Sequence, residues 1–174
     1  MLNGGKIMIL QIILEIFILW IWFAIYMEIL VRKKGPIGAV YFYPKEIQQR
    51  VIELGLRTEK QIKKEKYFAF ILLIAGDFII PFIMIVLING ARNFTDCAIQ
   101  FYILFYGMEF YDWFFVDTLW VAKSSWWIIP QTEDLLHIWH DPQRKSKKMI
   151  KLLWITIPFS FIAGGIYSLI AMLL

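Results

Sequence analysis

Four long apolar stretches limit what this chain can fold into. They cover residues 7–31, 67–88, 94–122 and 149–174, and each is long enough to cross about 30 Å of hydrocarbon at about 1.5 Å of rise per helical residue. The sequence therefore predicts an all-α integral membrane protein, a bundle of four transmembrane helices that forms one membrane domain over residues 1–174. The lipid bilayer is its predicted environment.

The composition supports the same fold class. Hydrophobic residues make up 60% of the chain and charged residues only 18%, whereas a soluble domain is about half apolar and about a quarter charged. This balance excludes a disordered chain, a disulfide-stapled secreted module and an ordinary soluble enzyme. The single cysteine, Cys97, has no second cysteine with which to form an internal disulfide.

The basic residues predict the orientation of the chain. Of the 18 lysines and arginines, 16 lie in residues 32–66 and 123–151. Because basic loops stay on the cytoplasmic side of a membrane, the loops 32–66 and 123–148 are predicted to be cytoplasmic and both termini extracytoplasmic. The same loops explain the net charge of +4, so nucleic acid is not an expected partner.

Both predicted loops contain helix signals. Apolar residues at helical spacing predict a helix over 44–54, which either lies on the membrane surface or serves as a docking face for a cytosolic partner. Thr58 and Gln61 form a capping-box pattern for a second helix that runs on into the second span. In the other loop, Thr132 is positioned to cap a short helix over 133–140.

The predicted spans hold an excess of acidic residues. Their interiors contain no lysine, arginine or histidine, so the carboxyl groups cannot all be ion-paired there. Some of them must be protonated, hydrated or bound to a cation. The acids in the spans are Glu15, Glu28, Asp77, Asp96, Glu109, Asp112 and Asp117.

Depth along the helices separates these acids into three groups, of which the smallest is Asp96 alone, near the outer surface. Four lie near the middle of their spans and would form one cation-selective pocket where the helices converge. These predicted cation- or substrate-binding residues are Glu15, Asp77, Glu109 and Asp112. The alternative is structural, because protonated carboxyl groups also hydrogen-bond between helices at about 1 kcal/mol each. Glu28 and Asp117 lie nearer the basic loops, where Arg32 and Lys123 can reach them.

Two further patterns in the spans have packing and binding interpretations. Aromatic residues crowd the third span and predict either an aromatic-walled pocket for an organic cation or ordinary helix packing. The 31 aromatic residues of the chain favour packing, and those concerned are Tyr102, Tyr106, Tyr111 and Trp113. Gly164 and Gly165 in the fourth span predict a close helix contact, within the subunit or between subunits.

A metal-binding site is the second candidate functional site in the sequence. His137, His140 and Asp141 stand at positions i, i+3 and i+4 of the predicted short helix, a spacing that can place ligands on one side of a metal ion. Asp117 or Asp112 can complete the set from the membrane. The alternative is an exposed interfacial helix without a ligand, since the pattern lacks the glutamate of a zinc protease signature.

Three functions remain open at this point. The first is a small membrane carrier or cation-binding protein that uses the central carboxyl groups and encloses a transport path as a homo-oligomer. The second is a membrane-embedded enzyme acting on a lipid or prenyl substrate, with a metal ion as the only cofactor that the residues suggest. The third is an accessory or regulatory subunit of a larger membrane complex, which docks through residues 44–66.

Overall fold

The regular structure of the chain is helical throughout the described residues. The computed structural model describes residues 2–139 and 141–174, with side chains for all of these except 2–8, 142–145 and 148. The α-helices in this part are α1 (Leu2–Val31), α2 (Lys45–Glu53), α3 (Glu59–Phe82), α4 (Phe94–Tyr111), α5 (Leu136–Trp139) and α6 (Pro142–Ala171). Helix α3 continues as π-helical turns over Ile83–Ile88, and α4 continues likewise over Asp112–Val121. Short 3₁₀ segments cover Gly35–Phe42, Ser125–Trp127 and Glu133–Leu135.

Three of these helices are long and apolar enough to cross a membrane. They cover Ile9–Val31, Glu59–Ile88 and Met149–Ala171, and they confirm three of the four predicted spans as apolar helices. Only 22%, 33% and 22% of their most apolar windows is buried inside the protein. Monomeric soluble proteins rarely expose contiguous apolar surface beyond a few hundred Å², so this outward face is suited to lipid.

The remaining long helix, residues 94–121, is more polar than these three. It is continuous, but it carries Gln100 and four acids among its aromatic residues, and it is not among the helices that meet the length and composition of a span. It packs most extensively along α6 and also contacts α1 and α3. In this placement Gln100 and the acids from Glu109 to Asp117 are half-buried, whereas Asp96 is exposed.

The contact between α4 and α6 depends on a glycine. A β-carbon at Gly164 would lie 2.6 Å from Cβ of Ala98 and 2.8 Å from its Cα. At Gly165 the nearest atom is Cε2 of Phe94, at 4.0 Å. The predicted close contact is therefore confirmed at Gly164, and it lies within the subunit.

Helix α3 begins where the capping pattern predicts. The Gln61 backbone N–H donates to Thr58 Oγ1 at 3.2 Å, and the Thr58 N–H donates to Gln61 Oε1 at 2.9 Å. The capping box is therefore confirmed, and the helix runs from it without a break into the apolar part of the span. The prediction that Thr132 caps a helix is wrong. Its hydroxyl donates to the carbonyl of Ile129 and accepts no hydrogen bond from the following turn.

The two basic loops fold against each other into one unit, here called the cap (residues 35–53 and 125–139). The Tyr43 hydroxyl donates to the Trp127 carbonyl at 2.7 Å, and the ring centroids of Tyr43 and Trp139 are 4.0 Å apart. The Arg50 guanidinium donates to both carboxylate oxygens of Asp134, at 3.1 and 3.2 Å. The cap contacts the ends of α1 and α3, so it closes one end of the helices.

The apolar face of α2 lies inside the cap. Ile47 and Val51 are both 0% exposed, which means that the protein itself covers the face predicted to lie on a membrane surface or to dock a partner. The expectation is corrected for a physical reason: an amphipathic pattern indicates that one face of a helix is covered, and in α2 the cap covers that face instead of a membrane or a partner.

Alanine substitutions at Gly164 and Gly165 will distinguish the effect of steric contact on stability from the effect of helix propensity. Gly164→Ala places a methyl group against the Ala98 backbone and should lower the free energy of unfolding by about 1–3 kcal/mol. Gly165→Ala gains the same intrinsic helix propensity without that collision. Denaturant unfolding in detergent micelles measures both variants, and equal stability of the two would contradict the close contact.

An acidic residue at position 47 should destabilise the folded structure of the cap. Ile47→Asp buries an unpaired carboxylate and should destabilise the cap by about 3 kcal/mol or more, so trypsin should cleave after Lys45 and Arg50 faster than in the unsubstituted protein. Gln49→Asp, on the exposed side of the same helix, is the control. Unchanged cleavage of the Ile47→Asp variant would show that α2 is not held by this face.

Candidate functional site

A cavity of about 540 Å³ lies beneath the cap. Its walls come from α1, α3, α4 and the cap, with Leu152 of α6 at one edge. This volume falls within the range of about 300–1,000 Å³ that sites for small organic molecules occupy. Aromatic side chains form much of the wall: Phe23, Tyr26, Tyr41, Phe42, Tyr43, Trp127 and Trp139.

Four acidic residues line this cavity. Asp77 comes from α3, whereas Glu109, Asp112 and Asp117 come from α4 and its π-helical continuation. None of the described residues in the lining is basic. The cavity therefore gathers negative charge in a largely apolar surrounding, where charges interact more strongly than in water.

Glu109, Asp112 and Asp117 share the cavity because the helix changes from α-helical to π-helical turns at Asp112. Glu109 and Asp112 are three residues apart and face the same side of an α-helix. Asp117 follows Asp112 by five residues, which in an α-helix, at about 100° per residue, would turn it about 140° away. The π-helical turns that begin at Asp112 have i→i+5 hydrogen bonds and bring such a residue back towards the same face.

Asp77 is buried in the cavity wall, and one of its carboxyl oxygens lacks a hydrogen bond from the described residues. It is 6% exposed, and the oxygen concerned is Oδ1. The preceding residue, Gly76, lets the Trp22 indole pack onto the helix, since a β-carbon there would lie 2.1 Å from the indole Cε2. Four residues later, Pro81 has no N–H to donate to the Asp77 carbonyl.

The cap contributes neutral phenols to the cavity. Burial raises the pKa of the Tyr43 phenol above its ordinary value, and its hydroxyl donates to the Trp127 carbonyl. Burial, and then the neighbouring Tyr26 and Glu65, raise the pKa of the Tyr41 phenol. Both phenols therefore stay protonated at neutral pH, and the charge of the cavity comes from its carboxyl groups.

Three of the four predicted central acids meet at this site and one does not. Asp77, Glu109 and Asp112 line the cavity together, and Asp117 joins them, although the sequence indicated an interfacial ion pair or a metal ligand at that position. Glu15 is 5% exposed but lies outside the lining, where it accepts a hydrogen bond from Gln11. The change of helical winding that brings Asp117 in has no simple signature in the residue pattern.

The aromatic wall also differs from the predicted one. Tyr111 packs on Trp20, with ring centroids 5.1 Å apart, and Tyr102 packs on Tyr106. None of the four aromatic residues singled out in the third span lines the cavity. The rings that do so belong to α1 and to the cap, which residue spacing within one helix cannot indicate.

The candidate metal ligands are spread over the cap end of the molecule. His137 Nδ1 lies 2.8 Å from the Asp134 carbonyl oxygen, Asp117 lines the cavity, and Asp141 is half-buried between α5 and α6. His140 lies outside the described residues. Within the described ranges, no three His, Cys, Asp or Glu side chains are grouped closely enough to hold a metal ion.

Comparison of the chain with known protein families, with curated proteins and with solved structures found no significant match. The fold and the site nevertheless define a class by their own features. The described chain is all-helical, three of its helices are long and apolar enough to cross a membrane, and an acidic cavity with aromatic walls lies under its cap. Its function is therefore inferred from the chemistry of that cavity.

Proposed function

We propose that this chain is a small multi-pass membrane carrier that binds organic cations in the cavity beneath its cap. The observation that carries the proposal is the lining itself: four carboxyl groups, no basic residue among the described lining residues, and aromatic walls. Carboxyl groups gathered in a low-dielectric site attract a cation more strongly than carboxyl groups in water do.

The size of the cavity favours an organic cation as the ligand. A volume of about 540 Å³ suits a molecule of many atoms. The acids are contributed by both α3 and α4, so they can interact with a charge distributed over such a molecule. Aromatic faces attract cations by about 0.5–1 kcal/mol at exposed sites and by about 2 kcal/mol or more where water is excluded. We infer an ammonium or aromatic cation with an apolar body as the ligand class.

The proposal includes residues 94–121 as a fourth span. Its outward side chains are apolar and exposed, and they include Ile99, Ile103, Phe110 and Phe114. Its three cavity acids are half-buried and lie on the other side, so crossing the membrane does not place them in lipid. Four spans, with the basic loops in the cytoplasm, place the cap and the cavity at the cytoplasmic end and both termini outside.

Binding of a fluorescent styrylpyridinium cation to the protein in lipid nanodiscs tests this proposal. Asp77→Asn and Asp112→Asn should each weaken binding about tenfold, which corresponds to about 1.4 kcal/mol. Glu28→Gln, a substitution of an exposed acid on α1, should bind the dye as the unsubstituted protein does. An uncharged analogue of the dye should bind weakly to all of them.

Two outcomes would contradict the proposal. Equal binding of the charged dye and its uncharged analogue would show that the cavity recognises apolar shape alone. Unchanged affinity in both Asn variants would show that the carboxyl groups bind no cation. Uptake of the dye into proteoliposomes, with the Asp112→Asn variant as the comparison, tests carriage across the bilayer.

A further inference from the structure

A second polar cluster lies away from the cavity, here called the distal cluster (Gln11, Glu15, Asn89 and Gln100). The Gln11 amide donates to Glu15 Oε1 at 3.3 Å and also to Asn89 Oδ1. The Asn89 amide donates in turn to Gln100 Oε1 at 2.8 Å. The cluster therefore joins α1, the end of the α3 helix and α4 in one network.

An apolar layer separates the distal cluster from the cavity. Glu15 precedes Phe23 of the cavity wall by eight residues, and Gln100 precedes Met108 of the wall by the same number. Along each helix this is about 12 Å. Leu19 and Leu104, which lie between them in sequence, are each 1% exposed. The distal cluster is thus a separate site and does not depend on what the cavity binds.

The carboxyl group of Glu15 is incompletely satisfied in either protonation state. Its Oε2 is buried and has no hydrogen-bond partner in the described part of the chain, and the cluster contains no basic residue. As a carboxylate it would lack a compensating charge from the other members of the cluster. As an acid with its proton on Oε2, it would have a hydroxyl without an acceptor.

We propose that the distal cluster binds one sodium ion. Carboxylate and amide oxygens are the ligands that hard cations prefer, and the cluster offers them from Glu15, Asn89 and Gln100 on three helices. Its single carboxylate carries one negative charge, which one monovalent cation neutralises. The bound ion would hold α1, α3 and α4 together at the end of the molecule away from the cap.

Binding of radioactive ²²Na⁺ to the full chain in nanodiscs tests the site directly. The unsubstituted protein should bind one Na⁺ per chain, and Glu15→Gln, which keeps the shape and removes the charge, should weaken binding at least about tenfold. Gln100→Met, which removes one amide oxygen, should weaken it less. Glu28→Gln, on the exposed face of the same helix, should bind Na⁺ normally.

The experiments distinguish failure of the sodium site from failure of organic-cation binding in the cavity. Asp77→Asn should keep its Na⁺ binding while binding the styrylpyridinium cation about tenfold more weakly, and Glu15→Gln should weaken Na⁺ binding and leave dye binding unchanged. The sodium site is overturned if the unsubstituted protein binds no Na⁺, or if Glu15→Gln and Gln100→Met both bind it as tightly as the unsubstituted protein. If Glu15→Gln fails to fold, Gln100→Met and an Asn89→Ser variant decide the question, and full binding by both overturns the site.

Discussion

The carboxyl groups of α4 impose the main constraint on this structure. A carboxyl group in apolar surroundings is unfavourable by several kcal/mol, and Glu109, Asp112 and Asp117 lie half-buried along a shared cavity, away from the exposed apolar side chains of the same helix. Helices α1, α3 and α6 pack around α4 and leave apolar side chains outward. The close approach of α6 at Gly164 belongs to the same arrangement, because a polar helix needs its neighbours near.

The cap completes the enclosure at one end. Without it, the acids near the end of α4 would open onto the surface, whereas the aromatic residues of the cap now form part of the cavity wall. Its two loops are remote in sequence, yet Tyr43, Arg50 and Asp134 join them through hydrogen bonds. The amphipathic helix α2 adds apolar burial to the unit through Ile47 and Val51.

The π-helical turns connect this architecture to the site. In both α3 and α4 they follow the segment that carries a cavity acid, and in α4 they bring Asp117 to the side of Asp112. Pro81 interrupts the hydrogen bonding of α3 shortly before its π-helical turns. Such turns are frequent at functional sites because they redirect side chains within a continuous helix.

Much of the fold follows from the residues alone, because hydrophobic length and helix capping act within a few turns of chain. The apolar helices, the capping box at Thr58 and the small-residue contact at Gly164 were predictable for that reason. Asp77, Glu109 and Asp112 were predictable as acids of one candidate site from their depth in apolar segments. The separation of Glu15 from them, the entry of Asp117 and the burial of Ile47 in the cap were decided only by tertiary structure. Each depends on how helices wind and on which distant segments meet, and periodicity within one segment carries no information about either.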